Sequence, residues 1–513
     1  MVTKQDAAQG VERLLQYGLR VGMLTGLDVP LARNALLGAL QLPQPADAPC
    51  ADDAQELAAV LEPLLAYAMQ QGIIENDTET ERDLFDTLLM GCMMPRPSEI
   101  SERFDEIEAD QGTKAACDWF YQLNIDCGYI RADRVARNIA WTQDSPYGTM
   151  QITINLSKPE KDPREVARLK TLPQVGYPKC MLCVDNVGYP GRLNHPARQT
   201  LRMLPLRLND EPWYFQYSPY VYYQEHCIVL RQEHVPMTIC RETFVRLLEF
   251  LQRFPHYFIG SNAGIPIVGG SILNHDHFQG GVWTMPMAEA PIDQPLQIDG
   301  VPGLTAGIVR WPMTVLRLRH ADPAVLVDVA DRVFTTWLGY DDPGLAILSH
   351  TGDTPHNAIT PIARMKDGQF ELDLVLRNNR TSDEHPMGIF HVHGDLHHIK
   401  RENIGLIEVM GLFILPGRLQ EEFDGLARIL CGQETPDRTA LADEGHPLHK
   451  HLSWLEQMLG EGPAASYEEA MERIRTQCGQ FCVRLLHDCG VFKDDRAGRA
   501  GFLRFLGSVG FTA

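Results

Sequence analysis

The chain is predicted to be an α+β protein: mainly antiparallel sheets in two similar units, with helical regions at both ends. Three observations support this. Apolar residues repeat at helical spacing near both termini, as in Val11, Leu14, Leu15 and Leu19 or Leu452, Leu455 and Leu459. Alternating or β-branched runs bounded by turn residues fill the middle, such as Ile152-Thr153-Ile154-Asn155-Leu156. A helix, strands and a His-x-His pattern occur in order once before residue 280 and again before residue 394, which suggests an internal duplication.

The elements follow in chain order. Residues 1 to about 110 are helical, with a second stripe at Leu57, Val60, Leu61, Leu64 and Leu65, and a capping box of Thr78 and Glu81 before Leu84. Arg131, Arg134 and Arg137 lie either on a solvated helix face or within reach of a phosphate. Met203–Leu208 and Trp213–Tyr217 flank Asn209-Asp210 as a hairpin, and a third strand runs Tyr220–Leu230. Phe244, Leu247, Leu248 and Leu251 form a helix that ends before Pro255, and strands at Phe258–Asn262 and around His275 follow. In the second unit, Ala324–Leu338 is a helix. Ala346–Ser349, Thr360–Arg364 and Phe370–Leu376 are strands, with a turn at Asp367-Gly368. Ile389-Phe390-His391-Val392-His393 comes next, and a helix starts near Glu402. The division expected is 1–127 helical, 128–320 first unit, 321–417 second unit and 418–513 helical.

At 513 residues the chain is long enough for more than one core. A formal net charge of -21 argues against a general binder of nucleic acid or of anionic membranes. The N-terminal stretch lacks an uninterrupted signal-peptide core, and Ile404–Leu415 is too short to span a bilayer. Twelve thinly spread cysteines suit a reducing, cytoplasmic setting.

The chemistry concentrates in Ser271-Ile272-Leu273-Asn274-His275-Asp276-His277-Phe278-Gln279-Gly280-Gly281. On one strand, His275, His277 and Gln279 share a face. Gly269 and Gly270 before the stretch, and Gly280 and Gly281 at its end, let backbone approach a ligand. A neutral imidazole can attack phosphorus when its other ring nitrogen is held by an acceptor. His277, between His275 and the amide donor Gln279, is the candidate nucleophile, with the Ser271 hydroxyl as a further donor. A structural pair of strand histidines satisfies the bare pattern as well. Cys180 and Cys183 have thiolate-ligand spacing, and His234 and His275 are the candidates to complete a Cys2His2 zinc site. The same residues also read as buried thiols with hydrogen-bonded histidines.

His275-Asp276-His277-Phe278-Gln279 resembles the active-site motif of galactose-1-phosphate uridylyltransferases, within the histidine-triad superfamily. The runs Tyr177–Cys183, Trp213–Tyr220, Ser261–Gly264 and His397–Gly411 are similar to the second, bacterial class of these enzymes. The resemblance implies two histidine-triad-like units and transfer of UMP from UDP-glucose to galactose-1-phosphate by a ping-pong route. His277 would carry the uridylyl group and Gln279 would hold phosphoryl oxygens. The resemblance further implies substrate contacts from Asn262, Ser271 and Arg192. It also implies a structural Zn2+ on Cys180, Cys183, His234 and His275. Two features depart from the first class: Asp276 stands where that class has proline, and the spacing from Ser271 to His275 is one residue longer. The first class also has a second metal site that uses a His-x-His in its second half; His391 and His393 match that pair, and the sequence does not place the other ligands. A nucleotide hydrolase or phosphorylase of the same superfamily is the alternative activity, and a zinc-stabilised interaction module the non-enzymatic one. Sheet edges of this kind can pair, so a homodimer is an expected assembly.

Overall fold

A computed structural model describes residues 1–48, 50, 54–157, 175–270, 272–435 and 437–513. The chain divides into two compact units. One comprises Met1–Ala136, Lys161–Val221 and Glu225–Val235; the other comprises Arg137–Glu160, Tyr222–Gln224 and Pro236–Ala513.

The first unit begins with helices at Lys4–Arg20, Val29–Ala39, Leu57–Gln70, Glu79–Gly91, Pro97–Gln111 and Thr113–Asp126. The apolar stripes are buried as expected, with Val11, Leu14 and Leu15 on the first helix and Val60, Leu61, Leu64 and Leu65 on the third. Gly10 permits their close approach, because a Cβ there would stand 2.7 Å from Leu64 Cδ2. The capping box forms only in part. Thr78 Oγ1 accepts the Glu81 N–H at 3.2 Å. The Glu81 carboxylate turns instead to the backbone and side-chain N–H groups of Asn76, both at 2.8 Å. Arg131 and Arg134 are part-buried and engaged by carboxylates, whereas Arg137 is exposed, as a solvated face requires. Arg131 holds Asp86 through two bonds of 2.6 and 2.7 Å, and Arg134 holds Asp83 at 2.9 and 2.6 Å. These paired forks tie the turn after the sixth helix back to the fourth.

The strands of this unit, Leu204–Leu208, Glu211–Tyr217 and Cys227–Arg231, pair antiparallel. Asn209 and Asp210 turn the hairpin with φ of 52° and 58°, the left-handed pair that a two-residue loop requires. The third strand starts later than predicted, at Cys227 rather than Tyr220. The intervening residues fold into a side-chain-held turn, in which the His226 ring bonds Tyr220 O at 2.7 Å and Tyr220 N–H bonds Ser218 Oγ at 3.2 Å.

The second unit contains a sheet in the order Phe511–Thr512, Ile292–Ile298, Thr305–Val309, Val315–His320, Gln369–Asn378, Asn357–Lys366, Phe258–Gly260 and His277–Gly281. These pairings are antiparallel. The amphipathic helix Arg241–Arg253, which buries Phe244, Leu247, Leu248 and Leu251, packs beside Pro323–Leu338. Asp367 and Gly368, with φ of 51° and 75°, make the tight turn expected of them. A smaller sheet pairs Ile139–Ser145 with Gly148–Ile154 antiparallel and adds Leu412–Leu415 in parallel. Helices Leu419–Leu430, Leu452–Gly460, Tyr467–Cys489 and Arg496–Val509 fill the C-terminal region.

Two sequence expectations fail here. Ala346–Ser349 is not a strand: a 3-10 turn at Pro343–Leu345 runs into Ala346 in the left-handed conformation, φ 60°. The helix placed near Glu402 begins at Leu406 and lasts four residues. Extra strands at Ile292–Ile298, Thr305–Val309 and Val315–His320 extend the sheet.

The sheet interior carries charge. Arg317 grips Asp373 at 2.7 and 2.9 Å, and Arg364 reaches the same carboxylate at 2.7 Å. Burial pushes the Asp373 carboxyl up, but the two guanidiniums outweigh it and hold it below the usual carboxylate range. Asp373→Ala leaves two buried cations short of a partner, so urea denaturation is expected to show a loss of about 3 kcal/mol. Adding Arg317→Met should recover part of it. A loss below about 1 kcal/mol would mean that the network is not under this constraint.

Candidate functional site

In the first unit, Cys180, Cys183 and His234 converge. Their sulfurs lie 3.5 Å apart and Cys183 Sγ is 3.1 Å from His234 Nδ1. All their ligand atoms fall within 4.8 Å of one another. Zn–S bonds of about 2.3 Å place sulfurs about 3.7 Å apart on a tetrahedron, so this spacing fits a metal. The donors are also of the right kind, two soft thiolates and an imidazole. The Leu182 N–H meets Cys180 Sγ at 3.4 Å, a contact that suits a charged sulfur. Burial and then Cys180 push the Cys183 thiol up, and a bound metal would reverse that shift.

A clamp shapes the Cys-x-x-Cys turn. Asn186 is fully buried and its Nδ2 donates to both Cys180 O and Cys183 O, at 2.8 and 2.9 Å. Its Oδ1 therefore faces His195 Nε2 at 2.7 Å, which makes that nitrogen the donor. Burial, with Arg192 and Arg198 adding to it, holds the His195 ring at about 4, so the imidazole is neutral. Neither residue received a role from the sequence. The only available signal was their position just after a Cys-x-x-Cys pair.

Arg192, predicted to contact substrate, is engaged within its own loop. It bonds Asn194 Oδ1 at 2.7 Å, Tyr189 Oη at 2.6 Å and Tyr177 O at 3.0 Å. Its structural work is to close residues 175–195 around the cysteine turn.

In the second unit, the strand begins at His277, not before His275. His275 therefore stands outside the pleat, and only His277 and Gln279 share a strand face. The reason lies in the backbone: the His275 carbonyl accepts from His277 Nδ1 at 2.8 Å. A carbonyl can only accept, so Nδ1 carries the proton and Nε2 keeps its lone pair. Burial lowers the His277 ring to about 4, against a smaller opposing pull from the His275 carbonyl. The ring is thus neutral near pH 7, the state that a phosphorus-attacking nucleophile needs.

The glycines around this strand are set by packing. A Cβ on Gly281 would stand 2.5 Å from the Tyr223 ring, so this position seats an aromatic, not a ligand as expected from the sequence. A Cβ on Gly270 would stand 2.6 Å from Asn262 Nδ2, so this backbone does approach a polar side chain. Asn262 is buried, and its Oδ1 accepts the Leu406 N–H at 3.0 Å, which leaves the Nδ2 donor on the Gly270 side. Ser271 lies outside the described residues. Gln279 is half-buried and pairs in register with Gly260. His391 and His393 join no group of three or more metal-ligating side chains among the described residues.

The chain matches the family described as "Galactose-1-phosphate uridyl transferase", its N-terminal domain over residues 20–236 and its C-terminal domain over 249–449. It is 48% identical to a galactose-1-phosphate uridylyltransferase of Caldanaerobacter subterraneus subsp. tengcongensis, covering 99% of each chain. To the protein of the same name from Bacillus subtilis it is 49% identical, covering 98% of this chain and 97% of that one. Among solved structures, a yeast Ap4A phosphorylase in complex with AMP aligns with 60% of this chain and 89% of its own, at 13% identity and a TM-score of 0.33.

Asn186→Ala removes both bonds that shape the cysteine turn. It is expected to lower the affinity of the cluster for a divalent metal about 10- to 100-fold, read by competition with a chromophoric chelator, while circular dichroism stays unchanged. Unaltered affinity would show that the turn holds its shape without the clamp.

Proposed function

The chain belongs to the galactose-1-phosphate uridylyltransferase family, and from that premise we propose that it transfers UMP from UDP-glucose to galactose-1-phosphate, giving UDP-galactose and glucose-1-phosphate. His277 Nε2 attacks the α-phosphorus of UDP-glucose. An N–P bond forms, the bond to the bridging oxygen breaks, and glucose-1-phosphate leaves with that oxygen. A phosphate oxygen of galactose-1-phosphate then attacks the same phosphorus, the N–P bond breaks and the ring regains its lone pair. Gln279 holds the phosphoryl oxygens from the same strand face. Asn262, Ser271 and Arg192 contact the substrates, Arg192 from the loop that it also closes. The observation that carries this reading is the His277 Nδ1 bond to the His275 carbonyl, which presents Nε2 as the nucleophile.

We further propose that a structural Zn2+ sits on Cys180, Cys183, His234 and His275. When bound, the ion supplies rigidity and no Lewis acidity toward substrate. Through His275 it would fix the carbonyl on which His277 depends. The reaction belongs in the cytoplasm, where sugar nucleotides are made and used; no helix among the described residues is long and apolar enough to cross a membrane.

Two measurements test these readings. After incubation with UDP-glucose alone, the intact protein should gain the mass of one uridylyl group, mapped to the peptide holding His277, and His277→Gln should gain none. A labelled His277→Gln protein would refute the assignment. Elemental analysis of protein purified without chelator should give about one zinc per chain. A fully active, metal-free protein would remove the zinc proposal.

A further inference from the structure

Asn262, the residue proposed to contact substrate, owes its orientation to a short turn of the second unit. Its Oδ1 meets the Leu406 N–H at 3.0 Å. A backbone N–H can only donate, so the amide oxygen faces Leu406 and the amide nitrogen faces away from it. Packing places that nitrogen against Gly270, where a Cβ would stand 2.6 Å from Asn262 Nδ2. A shift of the Leu406 N–H therefore shifts the donor that Asn262 offers a ligand.

Leu406 opens the four-residue helix Leu406–Val409, and Gly405 is its N-cap. Glycine has no side chain with which to hold the first turn. Glu408 holds it from within the helix: its Oε2 accepts the Gly405 N–H at 3.2 Å. A Cβ on Gly405 would stand 3.4 Å from Asn262 Oδ1 and 3.6 Å from Glu408 Oε2. The glycine thus lies between two acceptors, and its N–H and the next one serve one each. Glu408 is itself fixed. Its Oε1 lies 3.0 Å from Lys400 Nζ, which also donates to Ile414 O at 3.1 Å on the strand Leu412–Leu415. Both charged side chains are buried. The start of the turn is pinned as well, by Asn403 Nδ2 on Gly269 O at 3.3 Å and by Arg377 Nη2 on Ile404 O at 2.9 Å.

Apolar side chains of similar size commonly replace a buried ion pair without loss of stability, so stability alone does not account for Lys400 and Glu408. We propose that Glu408 is a positioning residue for uridylyl transfer: held by Lys400, it sets the Gly405–Leu406 turn that aims the Asn262 amide at substrate. Glu408 acts through Asn262, and its role rests on Asn262 contacting UDP-glucose.

The test is the rate of uridylyl labelling of the full chain as UDP-glucose is raised, which gives a half-saturating concentration and a limiting rate. Lys400→Met removes the cation that a neutral residue at 408 would leave unpaired. In that background Glu408→Gln keeps an acceptor for the Gly405 N–H and Glu408→Leu does not. The Gln variant is expected to label as the wild type does. The Leu variant is expected to need about 3- to 10-fold more UDP-glucose for half-saturation at an unchanged limiting rate. Asn262→Ala should have a similar effect, and adding it to the Leu variant should raise half-saturation no further, because both act through one amide. Glu408→Met in the same background replaces the Leu variant should that one not fold. A Leu variant that saturates as the Gln variant does, or losses that multiply when Asn262→Ala is added, would overturn the proposal. A wild type that takes no label overturns the transfer reaction itself. A wild type that labels while Asn262→Ala saturates unchanged overturns the roles of Asn262 and Glu408 and leaves the reaction standing.

Discussion

One hydrogen bond, 2.8 Å from His277 Nδ1 to the carbonyl of His275, sets what the site can do. It chooses the tautomer, places the ring and starts the strand one residue after Asp276. Burial alone would leave His277 neutral but free to carry its proton on either nitrogen. The carbonyl removes that freedom and leaves a single lone pair at Nε2. The proposed zinc ligation gives His275 two tasks: its side chain is held by the metal, and its main chain holds the nucleophile. A structural ion two residues away would then matter to the chemistry without touching substrate.

The same economy governs the polar groups behind the site. Asn186 commits both Nδ2 hydrogens to two cysteine carbonyls and sets its Oδ1 on a neutral His195. Asp373 is shared by two arginines inside the sheet. Each is a buried group whose capacity is used.

Local features were legible in the sequence and distant ones were not. Asn209-Asp210 and Asp367-Gly368 announced their turns, because the left-handed pair depends on those two residues alone. The helical stripes at both ends were legible for the same reason. All four residues of the candidate metal group were legible from spacing and strand position. The partners of Arg131 and Arg134 sit on a helix about fifty residues earlier, and no periodicity points to them. The strand Ile292–Ile298 contains Pro295, which argues against a strand in any sequence reading. The start of the strand His277–Gly281 turned on a carbonyl captured by a side chain, and a period-2 pattern does not register that event. Arg192 carried the right charge for a phosphate, yet its loop uses it first.

The central claim is that Nε2 of His277 is the phosphorus acceptor because Nδ1 is committed to a carbonyl. Nitrogen-15 and phosphorus-31 resonance of ring-labelled protein, before and after UDP-glucose, tests it directly. A protonated Nδ1 in the free enzyme and a phosphorus coupling to Nε2 in the uridylylated one are the results expected. Phosphorus coupled to Nδ1, or a free enzyme with its proton on Nε2, would contradict the account.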